Sequence, residues 1–403
     1  MNHDISNKRV LHIIYSLNAG GIETFIVNIL KNIDIEQVKF DFLVIREKGT
    51  EQFYDSEVLK YGSRIIEVGG TNKNKVTKYL KSRRDIYTYL KKTDYKIVHI
   101  HSGQIDKLPD AIVAKLLHIP TIIMHSHNQG LTKSARFYYV RLCLHKLLKP
   151  TNTMLPTHCF ACSKAAADWT FSKKANRENK VVIINNGIDS RRFAYREDIR
   201  NEYRQKLQLQ EKFVIGHIGR FNYQKNHDFL IDIFSEIVKR NRSSALLLIG
   251  TGELEPEIKE KVKKLGIEQQ VIFYGVTDKI PEMIQAMDVF LLPSHFEGLP
   301  VVGIEVQAAA LQTVAADTIT EEVAITDKWK FMSLGDSAGK WAEEILTYQV
   351  GYKREDMTRR IKSAGYDVKT IANYLENLYT KRLDQLEENG DYRSCLNGNT
   401  SKE

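Results

Sequence analysis

Two glutamates, Glu297 and Glu305, are separated by seven residues where a loop leads into a predicted helix. A loop carboxylate such as Glu297 can accept hydrogen bonds from sugar hydroxyls, and Glu305, about one turn into the helix, can hold both hydroxyls of a ribose. The amides that open the helix favour a phosphate. The candidate phosphate-binding residues are Gly298, Leu299, Pro300, Val301 and Val302. The alternative is a solvated helix with two unrelated glutamates.

Two cations follow another predicted strand. The strand ends at Gly219, and Arg220 and Lys225 come before the next helix. An arginine can hold phosphate oxygens with two parallel hydrogen bonds, and a lysine adds a point charge. The pair therefore suits a pyrophosphate, although two ordinary surface cations would give the same pattern.

The N-terminal part carries paired glycines and strand-end histidines. Gly20 and Gly21 precede a helix, where the backbone can approach an anion closely, but such a pair also occurs in simple tight turns. His101 and His125 end neighbouring strands, which points them at a ligand site. Either could instead be satisfied by the backbone. A three-histidine metal site is a further alternative, drawn from His99, His101, His125 and His127.

These residues are positioned by short β-branched runs that alternate with longer helical stretches, a pattern typical of parallel sheets with crossover helices. The first predicted strands are 10–15, 40–46, 64–68, 97–101, 121–125, 158–162 and 181–184. Polar residues 191–211 break the alternation, and we interpret them as a linker with a short helix. The second predicted strands are 213–219, 245–250, 271–274, 289–293 and 313–316. Two α/β domains in tandem follow.

Composition narrows the class of protein. The 403 residues are 42% apolar, enough to fill more than one core, and no apolar run reaches the roughly 20 residues of a membrane helix. The first residues lack the apolar core of a secretory signal, so we expect a cytoplasmic protein. Residues 1–190 hold 29 Lys and Arg against 17 Asp and Glu. This basic half could face nucleic acid, anionic lipid or a phosphorylated substrate, or be a solvated surface.

Several of these segments together resemble glycosyltransferase family 4. Pro293–Ser…Glu297–Gly–Leu–Pro–Val–Val…Glu305 is similar to its Glu-x7-Glu signature, and Gly219–Arg…Gln–Lys–Asn226 to its donor-phosphate motif. Gly20–Gly–Ile–Glu23 resembles its N-terminal turn, while Phe160–Ser163 and Asn185–Asp189 match the end of its first domain. The resemblance covers about residues 8–330 and is nearest to bacterial capsule and exopolysaccharide enzymes. One departure is Ala310–Leu–Gln312, where the family usually has Gly-x-Pro.

The resemblance implies the GT-B fold, an α/β architecture of two Rossmann-like, doubly wound domains that face each other across a cleft. We therefore expect an acceptor-side domain over 1–195 and a nucleotide-sugar domain over 210–365. We expect a helix over 368–386 that crosses back to the first domain, and a polar, disordered tail over 387–403. The polarity of the terminal segment places the start of disorder as early as Asp384.

The implied activity is retaining transfer of a hexose or N-acetylhexosamine from a nucleoside diphosphate sugar, with UDP as the expected nucleotide. The implied catalytic residues are Arg220, Lys225, Glu297 and His125; the implied donor-binding residues are Gly20, Gly21, Gly219, Thr277, Gly298, Leu299, Pro300, Val301, Val302 and Glu305. Thr277 would lie beside the base. The chain has no Asp-x-Asp, so we expect no metal and no cofactor, with the protein's own cations facing the diphosphate.

The expected acceptor is a polysaccharide precursor linked to a polyprenyl lipid. Residues 136–149 are basic, aromatic and amphipathic, and could lie on the anionic inner face of the plasma membrane, or pack their apolar side on the sheet. The alternative hypotheses are a non-catalytic partner subunit, a sugar-nucleotide epimerase of the same fold, and a pyridoxal-phosphate phosphorylase. The basic residues do not form a known nucleic-acid reader motif, so we expect no nucleic-acid partner.

Overall fold

The computed structural model describes residues 8–18, 20–69, 75–102, 107–128, 130 and 138–388. The chain divides into two compact units. The first contains the described residues up to Gly187 together with those from Val368 onward, and the second is Ile188–Asp367. The divisions thus fall after Gly187 and after Asp367, compared with the expected boundaries at 195 and near 365–368.

The first unit is built on a seven-stranded sheet in the order β3-β2-β1-β4-β5-β6-β7, with every neighbouring pair parallel. Its strands are β1 (Arg9–Ile14), β2 (Lys39–Arg46), β3 (Ile65–Gly69), β4 (Ile97–Ser102), β5 (Thr121–Ser126), β6 (His158–Ala161) and β7 (Val181–Ile183). Its helices up to this point are α1 (Gly21–Leu30), α2 (Asp55–Lys60), α3 (Lys75–Lys91), α4 (Leu108–Leu116), α5 (Tyr138–Met154), α6 (Lys164–Thr170) and α7 (Lys173–Arg177). Each of the seven predicted strands is found, because buried parallel strands form continuous apolar runs.

The second unit contains a six-stranded parallel sheet in the order β10-β9-β8-β11-β12-β13. Its strands are β8 (Phe213–Ile218), β9 (Ser244–Ile249), β10 (Val271–Gly275), β11 (Val289–Leu292), β12 (Gln312–Ala316) and β13 (Trp329–Met332). Its helices are α8 (Ser190–Phe193), α9 (Glu197–Lys206), α10 (His227–Arg240), α11 (Glu255–Lys264), α12 (Ile280–Ala286), α13 (Val301–Ala308), α14 (Ala338–Leu346) and α15 (Thr358–Ser363). Strand β13 was not predicted: it has four residues, lies at the sheet edge and exposes Lys330.

The segment 191–211, expected to be a linker, is part of the second unit instead. Helix α9 is fastened by Arg204, which is buried and donates hydrogen bonds to the Ala286 carbonyl and to Asp288 at 3.0 and 3.1 Å. Arg200 adds hydrogen bonds to the Gln285 and Met287 carbonyls, both at 3.0 Å. These guanidinium groups satisfy carbonyls at the end of α12, which no intrahelical donor reaches. The charged composition suggested a solvated linker because buried arginines look the same in sequence.

The last helix, α16 (Val368–Glu388), returns to the first unit. Its apolar face enters that unit's core through Val368, Ile371, Ala372, Leu375, Tyr379 and Leu383. The hydroxyl of Tyr379 lies 2.7 Å from Nδ1 of His99 on β4. The helix continues to Glu388, so residues 384–388, expected to be disordered, are helical; the rest of the expected tail lies outside the described residues. Among the described residues, no helix combines the length and hydropathy that a membrane span requires.

Candidate active site

The loop after β8 carries both predicted phosphate-binding cations. Gly219 is tightly packed: a Cβ there would stand 3.0 Å from Cδ of Lys225 and 2.9 Å from Nε2 of His217. Gly250, after β9, has φ +132° and contacts the Gly219 carbonyl. A Cβ on Gly250 would overlap that carbonyl oxygen, so a side chain at position 250 would displace the Gly219 backbone. The absence of side chains at both glycines therefore lets Lys225 fold back beside the strand end.

Lys225 and Glu297 form an ion pair in the second unit. The ammonium nitrogen lies 2.6 Å from Oε1 of Glu297, and both side chains are largely buried. The same carboxylate accepts hydrogen bonds from Ser294 Oγ at 3.0 Å and from Gln224 Nε2 at 2.9 Å. Gln224 and Ser294 belong to the motifs recognised in the sequence, but neither was assigned a role there. We expected this carboxylate to contact sugar hydroxyls. In the structure it accepts three hydrogen bonds, from Lys225, Gln224 and Ser294, which hold the lysine and the two loops in place.

The two loops that carry this ion pair are also joined directly. Asn226 donates to the Pro293 carbonyl at 3.0 Å, and the amide of His295 donates to the Gln224 carbonyl at 2.9 Å. The rings of Tyr223 and His295 stack with centroids 4.4 Å apart. These bonds place the ends of β8 and β11 in one rigid group, because neither loop can move without breaking contacts to the other.

Arg220 lies on the same loop but is far more open. Its side chain is 71% exposed and pairs with Glu253 at 3.2 Å. Glu253 follows β9 and was not among the predicted residues. An exposed ion pair of this kind is weak, so the guanidinium remains available to another anion.

Helix α13 follows the loop of Glu297 and begins at Val301, with Pro300 as the residue before it. The side chains of Leu299, Val301 and Val302 pack on the apolar core of the unit. Their backbone N–H groups are at the unsatisfied end of the helix, where an anion binds best. Pro300 was predicted to offer a backbone amide to phosphate, and this prediction is wrong because proline has no N–H. Gly298 precedes it in the loop.

Glu305 lies in the middle of α13. Part of the residue is solvent-accessible, yet burial around the carboxyl group raises its pKa to about 7, and the positive charge of Arg192 opposes this only in part. A carboxyl group held near its titration point is a feature of functional sites.

Thr277 lies in the turn after β10, where its hydroxyl accepts a hydrogen bond from the Lys279 amide at 3.1 Å.

The departure from the family motif after α13 also has a structural counterpart. Ala310 is fully buried and has φ +50°, a left-handed conformation that favours glycine. The turn into β12 therefore keeps the shape that glycine would adopt, and Ala310 bears the steric cost.

In the first unit, Gly20 immediately precedes α1 and Gly21 is its first residue. Glu23 in the first turn accepts a hydrogen bond from Ser16 at 2.8 Å. Phe25 of the same helix meets the ring of His125 edge-on, with centroids 5.3 Å apart. His125 itself is completely buried at the end of β5. The glycine turn and the predicted catalytic histidine thus belong to one local cluster.

Helix α5 exposes the apolar residues that were expected to meet either a membrane or the sheet. Tyr139, Val140 and Leu147 are 79%, 66% and 75% exposed. The buried side chains are instead His145 and Asn152; the ring of His145 stacks on Trp169 at 4.0 Å. The alternative in which the apolar side packs on the sheet is therefore wrong for these three residues.

Comparisons with known proteins agree with this architecture. The model of Glycosyltransferase Family 4 matches residues 19–192, and that of Glycosyl transferases group 1 matches residues 199–362. The putative glycosyltransferase EpsF of Bacillus subtilis is 31% identical over 382 residues, 93% of this chain and 97% of EpsF. A UDP-Gal:alpha-D-GlcNAc-diphosphoundecaprenol alpha-1,3-galactosyltransferase of Escherichia coli is 26% identical over 60% of this chain and 62% of its own length.

Solved structures with little sequence identity share the fold. Anabaena HepE, crystallised with UDP and glucose, superposes with a TM-score of 0.67 at 16% identity, covering 94% of this chain and 99% of HepE. The two parallel sheets, the loops at their carboxyl ends and the extent of the match to EpsF lead to one conclusion. The chain belongs to the family 4 glycosyltransferases and has the GT-B fold.

Proposed function

We propose that this protein transfers a hexose or N-acetylhexosamine from a UDP-sugar to a lipid-linked polysaccharide precursor, with retention of anomeric configuration. The observation that carries the proposal is the Lys225–Glu297 pair, held by Gln224 and Ser294 at the carboxyl ends of β8 and β11. In doubly wound sheets this edge is where nucleotides bind. UDP is supported by the HepE complex, and a lipid-linked acceptor by the name of the Escherichia coli relative.

The chemical step would need negative charge to accumulate on the departing diphosphate. Lys225 and Arg220 would supply positive charge, and the amides that open α13 would add hydrogen bonds. Two side-chain cations in this role make a metal ion unnecessary for the leaving group. Glu305 would accept the ribose hydroxyls, and His125 would contact the transferred sugar. The acceptor hydroxyl then attacks the anomeric carbon from the face that the diphosphate leaves: the bond to the diphosphate oxygen breaks, that oxygen takes the hydroxyl proton, and no protein nucleophile takes part.

A membrane-bound acceptor also accounts for helix α5. Tyr139, Val140 and Leu147 lie exposed beside Lys146 and Arg141, which are exposed as well. Apolar side chains flanked by cations suit the interface of an anionic bilayer. We therefore include peripheral membrane association in the proposal.

Isothermal titration with UDP and GDP tests the donor site. Wild-type protein should bind UDP with micromolar affinity and more tightly than GDP, and Arg220→Ala should weaken the binding at least about tenfold. Arg360→Ala is a matched control, because Arg360 is likewise an exposed arginine of the second unit, 57% accessible and paired with Asp327 at 3.0 Å. Equal losses in both variants, or no nucleotide binding by the wild type, would refute the assignment.

A further inference from the structure

Five histidines lie on, or directly after, neighbouring strands in the first unit. His12 is on β1, His99 and His101 are on β4, His125 is on β5, and His127 directly follows it. Strand register sets His12 beside His99, and His101 beside His125. Because residues in register on parallel strands point to the same face, the five rings form one continuous array.

Within this array, the ring nitrogens of three histidines lie close together. The ligand nitrogens of His101, His125 and His127 all lie within 4.8 Å of one another, and Nδ1 of His101 is 3.0 Å from Nε2 of His127. In a tetrahedral zinc site with Zn–N bonds of about 2.0–2.1 Å, neighbouring ligand nitrogens lie about 3.4 Å apart. Rotation of the rings that brings these separations to about 3.4 Å would let all three nitrogens reach one ion.

The polar atoms of these rings are incompletely used by the protein. His125 is fully buried, and among the described residues neither of its ring nitrogens has a hydrogen-bond partner. The Ile184 backbone is near enough to favour its charged form, but outside hydrogen-bond geometry. Nδ1 of His127 is buried and unpaired in the same sense. Buried nitrogens without partners cost stability, and a metal ion would use their lone pairs.

One further contact has the form of an outer-shell interaction. Nε2 of His101 lies 3.0 Å from Nδ1 of His12. Metal-ligating histidines ordinarily donate the N–H of the second ring nitrogen to a fixed acceptor, which sets the tautomer and the orientation of the ring. With His12 accepting that proton, Nδ1 of His101 presents its lone pair towards His127.

We propose that His101, His125 and His127 bind one divalent transition-metal ion, with Zn²⁺ or Co²⁺ as suitable species. Three imidazoles without a carboxylate select such ions over Mg²⁺ and Ca²⁺. A second trio, His12, His99 and His101, is also close enough, but all three are buried and Nδ1 of His99 is taken by Tyr379. His127 is partly exposed, so the first trio has a route for entry.

Binding would have a consequence for catalysis, and this consequence rests on the proposed function. His125 cannot ligate a metal and contact the transferred sugar with the same nitrogen. A metal ion on His125 would therefore compete with the sugar for this side chain and would inhibit transfer, which is compatible with metal-independent departure of the diphosphate.

Titration of untagged, metal-free protein with Co²⁺ tests the site without any sugar substrate. We expect one equivalent to bind with the visible bands of tetrahedral cobalt, to be displaced by Zn²⁺, and to be unaffected by excess Mg²⁺. His127→Asn and His101→Asn should each lower the Co²⁺ affinity at least about tenfold. His118→Asn is the control, because His118 is exposed in the same unit and already has φ +54°, which asparagine tolerates.

The outcomes separate the alternatives. His99→Phe should retain cobalt binding; if it abolishes binding while His127→Asn does not, the second trio is the site and the assignment fails. Wild-type protein that binds no cobalt, or His127→Asn that binds as the wild type does, also overturns the proposal. Since His127 is partly exposed, its variant keeps the test valid if His101→Asn does not fold. Nucleotide titration is independent of these results, so the proposed function stands or falls separately.

Discussion

The ammonium group of Lys225 lies 2.6 Å from a carboxylate oxygen of Glu297, although 72 positions separate the two residues in the chain. One follows β8 and the other follows β11, which are neighbours in the sheet of the second unit. The carboxylate is in turn held by Gln224 and Ser294. Glu297 is therefore the group that aims the lysine, whatever else it contacts.

Replacement of Lys225 by alanine should lower kcat by about 10²–10³-fold, because a cation that faces the leaving diphosphate stabilises charge that develops in the transition state. Glu297→Gln should lower kcat less, since the amide keeps a hydrogen bond to the ammonium group. Sugar transfer measured with saturating donor checks both. Lys261→Ala is the control: Lys261 pairs with Asp228 and Asp232 at 2.8 and 2.7 Å in the same unit. Comparable losses for Lys261→Ala and Lys225→Ala would contradict the role.

The pKa of Glu305, raised to about 7 by burial, predicts a pH-dependent donor affinity. Ribose hydroxyls donate to a carboxylate, so binding favours the ionised form. UDP affinity should therefore fall more steeply below pH 7 in the wild type than in Glu305→Gln, by up to about tenfold more per pH unit, because the variant retains only the titration of the nucleotide's own phosphate. Isothermal titration between pH 5.5 and 8.5, at about half-unit steps, measures the slope.

The raised pKa of Glu305 also affects stability: ionisation of this group at high pH should favour UDP binding but destabilise the folded protein. A carboxyl group whose pKa rises from 4.5 in the unfolded chain to about 7 in the folded one costs stability as pH rises through that window. We therefore expect the free energy of unfolding of Glu305→Gln, relative to that of the wild type, to be higher at pH 8 than at pH 4.5. Urea unfolding at the two pH values measures this difference. An unchanged difference between the two pH values would show that the pKa is not raised.

Tyr379→Phe should lower the free energy of unfolding by about 1–3 kcal/mol, because it leaves Nδ1 of His99 buried without its partner. Burial raises the pKa of Tyr379, so the phenol stays protonated and remains a hydrogen-bond partner of that nitrogen. Tyr374→Phe on the same helix, 44% exposed, is the matched control and should change stability by less than about 0.5 kcal/mol. Urea unfolding that gives equal effects would remove the structural role assigned to the contact.

Helix α5 predicts reversible binding to anionic vesicles at low salt. Leu147→Glu should reduce co-flotation with vesicles that contain anionic lipid at least several-fold, because it puts a negative charge into the apolar, basic surface. Val350→Glu makes the same kind of change at a position 87% exposed in the second unit and should leave flotation unchanged. Wild-type protein that stays unbound at low salt would exclude this surface as a membrane contact.

The sheets were predictable because, in the part of the chain that the structure describes, twelve of the thirteen strands are short apolar runs between helical stretches. Strand β13 was missed because an edge strand needs only one apolar face, and its exposed Lys330 breaks the run. The candidate site residues Arg220, Lys225, Glu297 and Glu305 were chosen by residue type and position, and their roles stay predictions. The pairing of Lys225 with Glu297 was not predicted, because contacts between loops 72 positions apart depend on the order of the strands, which local pattern does not encode.

The return of α16 to the first unit matters for how the protein is made. Ribosomes synthesise a chain from its N-terminus, and domains ordinarily fold in that order. Here the second unit, Ile188–Asp367, is continuous and complete before α16 has emerged. The core of the first unit lacks Leu375 and Tyr379 until α16 is synthesised. The first unit is thus synthesised first but completes its fold last. Until α16 packs on it, the incomplete core of the nascent chain is exposed to aggregation.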